Sequence, residues 1–305
     1  MVSADTYLQP DAPDPVLGEQ VIVAAARRHA PEVGDLLHVD ESGGEARAYF
    51  LAGGIVMKTQ RPPRLRPRTS LRKEAFFLAE LARQGDFPVP RALGHGEVEG
   101  IEYLCLTRVE GIPVEHSSLD AQQRRAALVE LGRTLRAIHE IDQAALADEA
   151  LMPGDRTPAD LETRLAETFE RLATALDAKE ALAGKVDVRK VAAERLALIP
   201  RGTPPVALHS NPGPEHTFVD EATGDYTGLI DFGDAYRSHP ALDLRPWTDP
   251  DDGEALLAGY RASGPLPDGF DEVWRTGLII IELARAVRGN SSVEQLEAAL
   301  SRLLS

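Results

Sequence analysis

Two short stretches carry most of the chemistry this chain can do: His209-Ser210-Asn211-Pro212-Gly213-Pro214-Glu215-His216, and then Ile230-Asp231-Phe232-Gly233-Asp234. Their spacing is that of the loop H-x-D-x-x-x-x-N and the D-F-G triplet, which aim an acceptor hydroxyl and hold a divalent metal during phosphoryl transfer. That reaction asks for little covalent chemistry. It needs nucleotide phosphates held, a metal held, and a hydroxyl aligned. Here the position of the aspartate base holds Asn211, and that of the metal-binding asparagine holds His216.

Asn211 can orient a hydroxyl through its amide, but it cannot take the proton at any ordinary pH. In a loose transition state positioning carries most of the rate, so Asn211 predicts a large loss of rate, not necessarily to zero. Glu215, Asp234 and Asp243 are carboxylates able to stand in as base, and spacing alone does not place them. Asp231, directly after Gly228-Leu229-Ile230, can bind Mg²⁺ that bridges phosphates, or simply cap a turn. His216 can offer the same metal a nitrogen or hydrogen-bond within the loop; Mg²⁺ prefers oxygen, which ranks it below Asp231. His209 reads as a structural histidine that orients backbone.

Further candidates lie upstream. Lysine is scarce in a chain rich in arginine, so Lys58, ending the apolar run Ile55-Val56-Met57, stands out as a cation for phosphates. Glu74, on the helix expected next, can pair with it. Ser42-Gly43-Gly44 can turn backbone N–H groups toward phosphate oxygens, or serve only as a hairpin turn.

The elements that must position these residues follow from periodicity. Residues 1–15, rich in Pro and Asp, read as a loosely held arm. A short helix is expected over 20–28, and extended segments at Ala46 to Leu51 and Ile55 to Lys58 are separated by the Gly53-Gly54 turn. The run Arg61 to Arg68 reads as a loop. Thr69 or Ser70 can cap a helix over 71–84, and Gly100 to Leu106 reads as a strand. Beyond Gly111 the chain turns helical: Leu128, Leu131, Leu135 and Ile138 share one face of a helix ending near His139. Helices are expected from Pro158 to about Ala178 and from Glu180 to Leu198, then a hairpin turning at Thr223-Gly224-Asp225. Three final helices are expected at 253–261, 271–288 and 293–304. The layout is a small β-rich lobe followed by a larger helical one.

Composition bounds the function. A net charge of −16 argues against a nucleic-acid partner. It is compatible with a cationic small substrate drawn to an acidic cleft, and equally with surface acid that serves solubility. The single cysteine, Cys105, excludes an internal disulfide and a multi-cysteine zinc site. No apolar run is long enough for a membrane span and the N-terminus is not that of a signal peptide, so a cytoplasmic monomer or homodimer is the expectation.

With these residues assembled, the chain resembles the aminoglycoside phosphotransferase family, the antibiotic-kinase and choline-kinase-like branch of the protein-kinase-like fold. Phe87 to Gly96 looks like that family's link into the hinge strand, and Tyr103 to Gly111 like the hinge that contacts the nucleotide base. Leu131 to His139 resembles its L-x-x-L-H helix. Pro240-Ala241-Leu242-Asp243-Leu244 matches D-P-A-x-D-L, with His239 in place of the first Asp. The resemblance implies an α+β bilobal kinase-like fold, with an N-lobe over 16–107 and a helical C-lobe over 108–305 whose insertion at about 158–198 shapes the substrate pocket. It also implies Lys58 on the α- and β-phosphates, Glu74 as its partner, Asp231 as metal ligand, and Asn211 at the base position. Leu106, Thr107 and Val109 would lie beside the base, with Mg²⁺ as cofactor and ATP or GTP as donor to a hydroxyl of a small molecule. His216 occurs in branches resembling macrolide phosphotransferases, whereas Asn211 and Pro212 depart from the pattern. Three readings stay open: a kinase of reduced or unusual activity, a pseudokinase that binds nucleotide or a small ligand without transfer, and an engineered Asp-to-Asn variant.

Overall fold

The computed structural model describes residues 6–67, 69–147, 150–179 and 184–304. By backbone contacts the chain divides into two compact units: Met1–Gln123, Glu140–Pro153 and Pro214–Tyr236 form the first, and Arg124–His139, Gly154–Gly213 and Arg237–Ser305 the second.

In the first unit, α1 (Glu19–Arg27) precedes three antiparallel strands, β1 (Leu36–Asp40), β2 (Ala46–Leu51) and β3 (Ile55–Gln60). Helix α2 (Leu71–Gln84) follows, then β4 (Ala92–Val98) and β5 (Ile101–Thr107), completing a sheet of order β1-β2-β3-β5-β4. Buried and half-buried residues alternate along β2 and β3, the period of a strand with two unlike faces. Tyr49, Leu51, Ile55, Met57, Tyr103 and Cys105 pack with Ile22, Ala25 and Ala26 of α1. Lys58 has the opposite parity on β3 and meets α2.

Helix α2 spans the residues expected of it. Ser70, not Thr69, is its cap, accepting a hydrogen bond from the Lys73 amide. Strand β3 runs on to Gln60, and β1 and β4 are strands where the sequence predicts none. Residues 1–5 of the expected arm, and Arg68 of the expected loop, lie outside the described residues. From Leu8, whose amide donates to the Leu65 carbonyl, the arm is tied down. A second sheet of Ile112–Pro113, Thr217–Val219 and Tyr226–Leu229 contains the expected hairpin, whose last strand leads into Asp231.

The second unit is helical. In α3 (Ala121–Glu140), Asp120 and Gln123 form a capping box, and the body, with Leu128, Leu131, Leu135 and Ile138 buried, belongs to this unit. Helix α4 (Pro158–Asp177) also opens on a capping box, of Thr157 and Asp160. Helix α5 (Val188–Leu196) corrects the expectation of a helix from 180. Residues 180–183 are outside the described set, 184–186 form a turn and bend, and the Asp187 side chain caps the helix at the Lys190 amide. Helices α6 (Pro250–Arg261), α7 (Phe270–Arg288) and α8 (Val293–Leu304) complete the unit. Two glycines set the crossing of α3 and α6. A Cβ on Gly132 would lie 2.1 Å from the Leu256 carbonyl oxygen, and one on Gly259 would lie 1.9 Å from that of Val129. The helices therefore meet backbone to backbone.

The fold is α+β, with a β-sheet N-terminal region and a larger helical C-terminal part. Among the described residues no helix is long and apolar enough to cross a membrane.

Candidate active site

The first unit gathers four of the expected residues. Lys58 projects from β3 toward α2, where its Nζ lies 2.6 Å from Glu74 Oε2 and 2.5 Å from Asp231 Oδ1. Burial alone would lower the Lys58 ammonium, but the charges and hydrogen bonds of Asp231 and Glu74 outweigh it and raise the group above its ordinary value. Burial pushes the Glu74 carboxyl up, against the pull of Lys58. His216 approaches the other oxygen of Asp231, with Nε2 3.4 Å from Oδ2.

Asp231 is aimed by backbone conformation as well as by partners. Its φ is 72°, in the left-handed region that a non-glycine residue enters only when its surroundings hold it there. The following residue supplies the hold. Phe232 is fully buried, meets Phe77 of α2 edge to face with centroids 5.4 Å apart, and donates its amide to Glu74 Oε1 at 3.3 Å. Gly233 accepts from the Ser70 amide at the start of α2. The carboxylate of Asp231 itself remains 42% exposed. Asp234 is engaged elsewhere, accepting a hydrogen bond from the Thr69 hydroxyl.

The β1–β2 turn places Ser42, Gly43 and Gly44 on the sheet that carries Lys58. The Ser42 amide donates to Asp40 Oδ1 at 2.8 Å, and the Gly43 carbonyl accepts from Arg61. Leu106, buried on β5, pairs with Val56. The Thr107 amide and hydroxyl are both bonded to the backbone of Arg91. Val109 packs beside Gly228.

The second unit holds His209, Asn211 and Asp243. Asp243 is fully buried and accepts hydrogen bonds from the amides of His209 and Ser210, each at 2.8 Å. His139, at the end of the α3 core face, lies 3.0 Å from Asp243 through Nε2 and 2.9 Å from the Tyr260 hydroxyl through Nδ1. Burial would raise the Asp243 carboxyl, but His139, His209 and the Ser210 amide together hold it below its ordinary value. Such a carboxylate is a loop anchor. The amide of Asn211 donates to His209 Nδ1 at 3.3 Å, and the Trp247 indole donates to the Pro212 carbonyl at 2.7 Å. Ser210 carries the second left-handed φ of this region, 87°. Trp247 and Tyr260 were missed by the sequence reading; neither lies in a motif, and only burial beside the loop reveals them.

Among the described residues, no group of three or more His, Cys, Asp or Glu side chains could hold a metal ion. Asp231 and His216 offer one oxygen and one nitrogen side by side.

No curated protein matches the chain by sequence. Solved structures do match it in fold. The apoenzyme of a macrolide 2'-phosphotransferase from Brachybacterium faecium superposes with a TM-score of 0.60 at 23% identity, covering 92% of this chain and 97% of that one. The GDP complex of aminoglycoside 2'-phosphotransferase-IIIa gives a TM-score of 0.61 at 16% identity, over 94% and 97% of the two chains. A streptomycin–ATP ternary complex of a type IIa 2"-phosphotransferase gives 0.60 at 15% identity, over 95% and 97%. The fold is thus that of the kinase-like phosphotransferases. The family model of the phosphotransferase enzyme family matches residues 37–273, a span that includes the Lys58 cradle and both halves of the motif read first in the sequence, and the chain belongs to that family.

Proposed function

We propose that this protein binds a nucleoside triphosphate with Mg²⁺ and transfers the γ-phosphate to a hydroxyl of an antibiotic-like small molecule, at a rate reduced by Asn211. The observation that carries this reading is Lys58, held as a charged group between Glu74 and Asp231. A lysine so fixed presents its charge to phosphates without first ordering a long side chain. The segment Leu106 to Val109 would run beside the base, with half-buried Val109 offering apolar surface, and the Ser42–Gly44 turn would cover the phosphates.

Asp231, whose carboxylate is 42% exposed, would be the oxygen donor to a magnesium ion, with His216 beside it as a weaker nitrogen donor. When bound, the metal neutralises charge on the β- and γ-phosphates. The protein's own part is positional. Asp243 and His139 hold the loop, and the Asn211 amide orients the acceptor hydroxyl. The related structures carry GDP, ATP, streptomycin and kanamycin, which supports a nucleotide donor and a hydroxylated antibiotic-like acceptor.

Asn211 also favours a second reading, a protein that binds nucleotide without transfer. Product formation by the wild type separates the two: nucleotide bound with no phosphorylated product across a panel of hydroxylated antibiotics and metabolites favours the second reading. Asn211→Asp restores a carboxylate to the base position and is expected to raise turnover by about 10²–10⁴-fold, the usual worth of a general base. Unchanged turnover in the variant would mean that another group does the work or that the rest of the site has drifted. If neither Mg²⁺–ATP nor Mg²⁺–GTP at millimolar concentration raises the melting temperature, both readings fall.

A further inference from the structure

The acidic, proline-rich segment ahead of α1 takes no part in the site described above, yet it is fastened to the sheet at three places. The Leu8 amide donates to the Leu65 carbonyl, and Arg66 stacks over the Tyr7 ring at 5.6 Å. Asp14 Oδ2 receives Arg61 Nε at 3.0 Å and Nη2 at 2.6 Å, while Asp14 Oδ1 lies 3.3 Å from Arg47 Nη2. The Leu17 amide donates to the buried Tyr49 hydroxyl. Asp14 stands between Pro13, whose own φ is fixed, and Pro15, which disfavours helical backbone at Asp14, and both lower the entropy lost on fastening.

The two arginines are unusual. Arg47 is 2% exposed and Arg61 5%, and charge buried to that degree requires a counter-charge. What they hold on their other side is the β1–β2 turn. Arg61 Nη1 donates to the carbonyls of Glu41 and Gly43, each at 3.1 Å, and Arg47 Nε donates to Glu41 Oε1 at 2.7 Å. The Arg61 amide donates to the Glu45 carbonyl, and Arg66 Nε pairs with the Glu45 carboxylate at 2.8 Å. The turn is therefore gripped at residues 41 and 43 by Arg61, whose charge Asp14 balances, at 41 also by Arg47, which Asp14 and Glu41 share, and at 45 by the Arg61 amide and Arg66.

We infer that the segment Tyr7–Leu17 is a positioning element for the nucleotide: through Arg47 and Arg61, Asp14 fixes the Glu41–Glu45 turn in the conformation that receives the phosphates. The inference rests on the nucleotide reading above. Without the Asp14 carboxylate Arg61 must exchange it for water, while Arg47 keeps Glu41 and the Pro15 carbonyl; in moving, Arg61 releases the turn carbonyls. Asp14 is a positioning residue and touches no reactant.

The test compares the full chain with Asp14→Asn, Asp14→Glu and Ala299→Gly, the last a mild destabilisation in α8. Hydrogen exchange at residues 41–46 is measured without ligand, and the Kd for Mg²⁺–ATP and Mg²⁺–GTP by calorimetry. In Asp14→Asn, exchange at 41–46 is expected to rise about tenfold and Kd about tenfold, the scale of one charge-assisted hydrogen bond. Asp14→Glu should recover part of both. Ala299→Gly should lower the melting temperature and leave both readings at wild-type values. Wild-type Kd or wild-type turn exchange in Asp14→Asn overturns the inference, as does an equal rise in Kd in Ala299→Gly. A wild type that binds neither nucleotide overturns the functional reading and this one with it, whereas a binding wild type with an unaffected Asp14→Asn overturns this one alone.

Discussion

Replacing Lys58 by Met removes one charge from a place where two carboxylates converge, and the structure says which carboxylate sets the cost. Asp231 is 42% exposed and can return to water, whereas Glu74 is 1% exposed and cannot. Stranding a buried charge costs about 3–5 kcal/mol. The cost has a ceiling, because Glu74 can take up a proton instead. Protonating a carboxyl of ordinary value 4.5 costs about 5 kcal/mol at pH 8 and about 2 kcal/mol at pH 6, at about 1.4 kcal/mol per unit. Glu74 is already raised in the wild type and is raised further in the variant. A group so raised favours the folded state at low pH and loses that advantage as pH climbs from its ordinary value through its folded one. Urea unfolding of Lys58→Met should therefore show a penalty of about 3–5 kcal/mol at pH 8, shrinking to about 2 kcal/mol or less at pH 6. Adding Glu74→Gln should restore much of the stability at pH 8. A penalty equal at the two pH values, or a double variant no more stable than the single one, would refute the assignment to Glu74.

Asp243→Asn leaves a donor amide facing the donor amides of His209 and Ser210, and should cost about 1–3 kcal/mol. The Asp243 carboxyl is depressed below its ordinary 3.8, so its contribution is present above that value and is lost as pH falls through the folded one; urea unfolding between pH 3 and 6 should show the wild type losing stability at the acid end and the variant losing less. Gly259→Ala would gain about 1 kcal/mol in an ordinary helix interior, yet here the new Cβ meets the Val129 carbonyl, and a net loss of about 1–3 kcal/mol is expected by thermal unfolding.

The sequence made visible those features that rest on local chemistry. Helix α2 was legible to its end residues because a serine cap, an early glutamate and an apolar period of 3.6 all agree. The hairpin before Asp231 was legible from its turn residues. Strands β1 and β4 were not. Leu36-Leu37-His38-Val39-Asp40 does not alternate cleanly, and β4 carries Gly94 and Gly96, residues that normally weaken a strand. The pairing of Lys58 with Glu74 is legible from a scarce lysine at a strand end and an acid on the next helix, and Asp231 and His216 from their spaced motif; the contact of Lys58 with Asp231 is not. Arg61 is illegible because a run of arginines and prolines reads as solvated loop, Asp14 because it lies in a segment that reads as a loose arm, and Arg47 because its strand shows no sign of burying a charge; only burial distinguishes the two arginines. Asp243 was weighed as a substitute base; both of its oxygens turn out to hold backbone.

The groups that fix the loop around residue 211 are the amides of His209, Ser210 and Asn211 and the carbonyl of Pro212. Behind them stand Asp243, His139 and Tyr260, and Tyr260 is set by the backbone contact of α3 with α6, where a Cβ at 132 or 259 would collide with the facing carbonyl. These anchors bind backbone groups, which Asn and Asp present alike. Asn and Asp codons differ by a single base, so a lineage carrying this loop can lose its proton acceptor or regain it in one mutational step while these anchors stay in place.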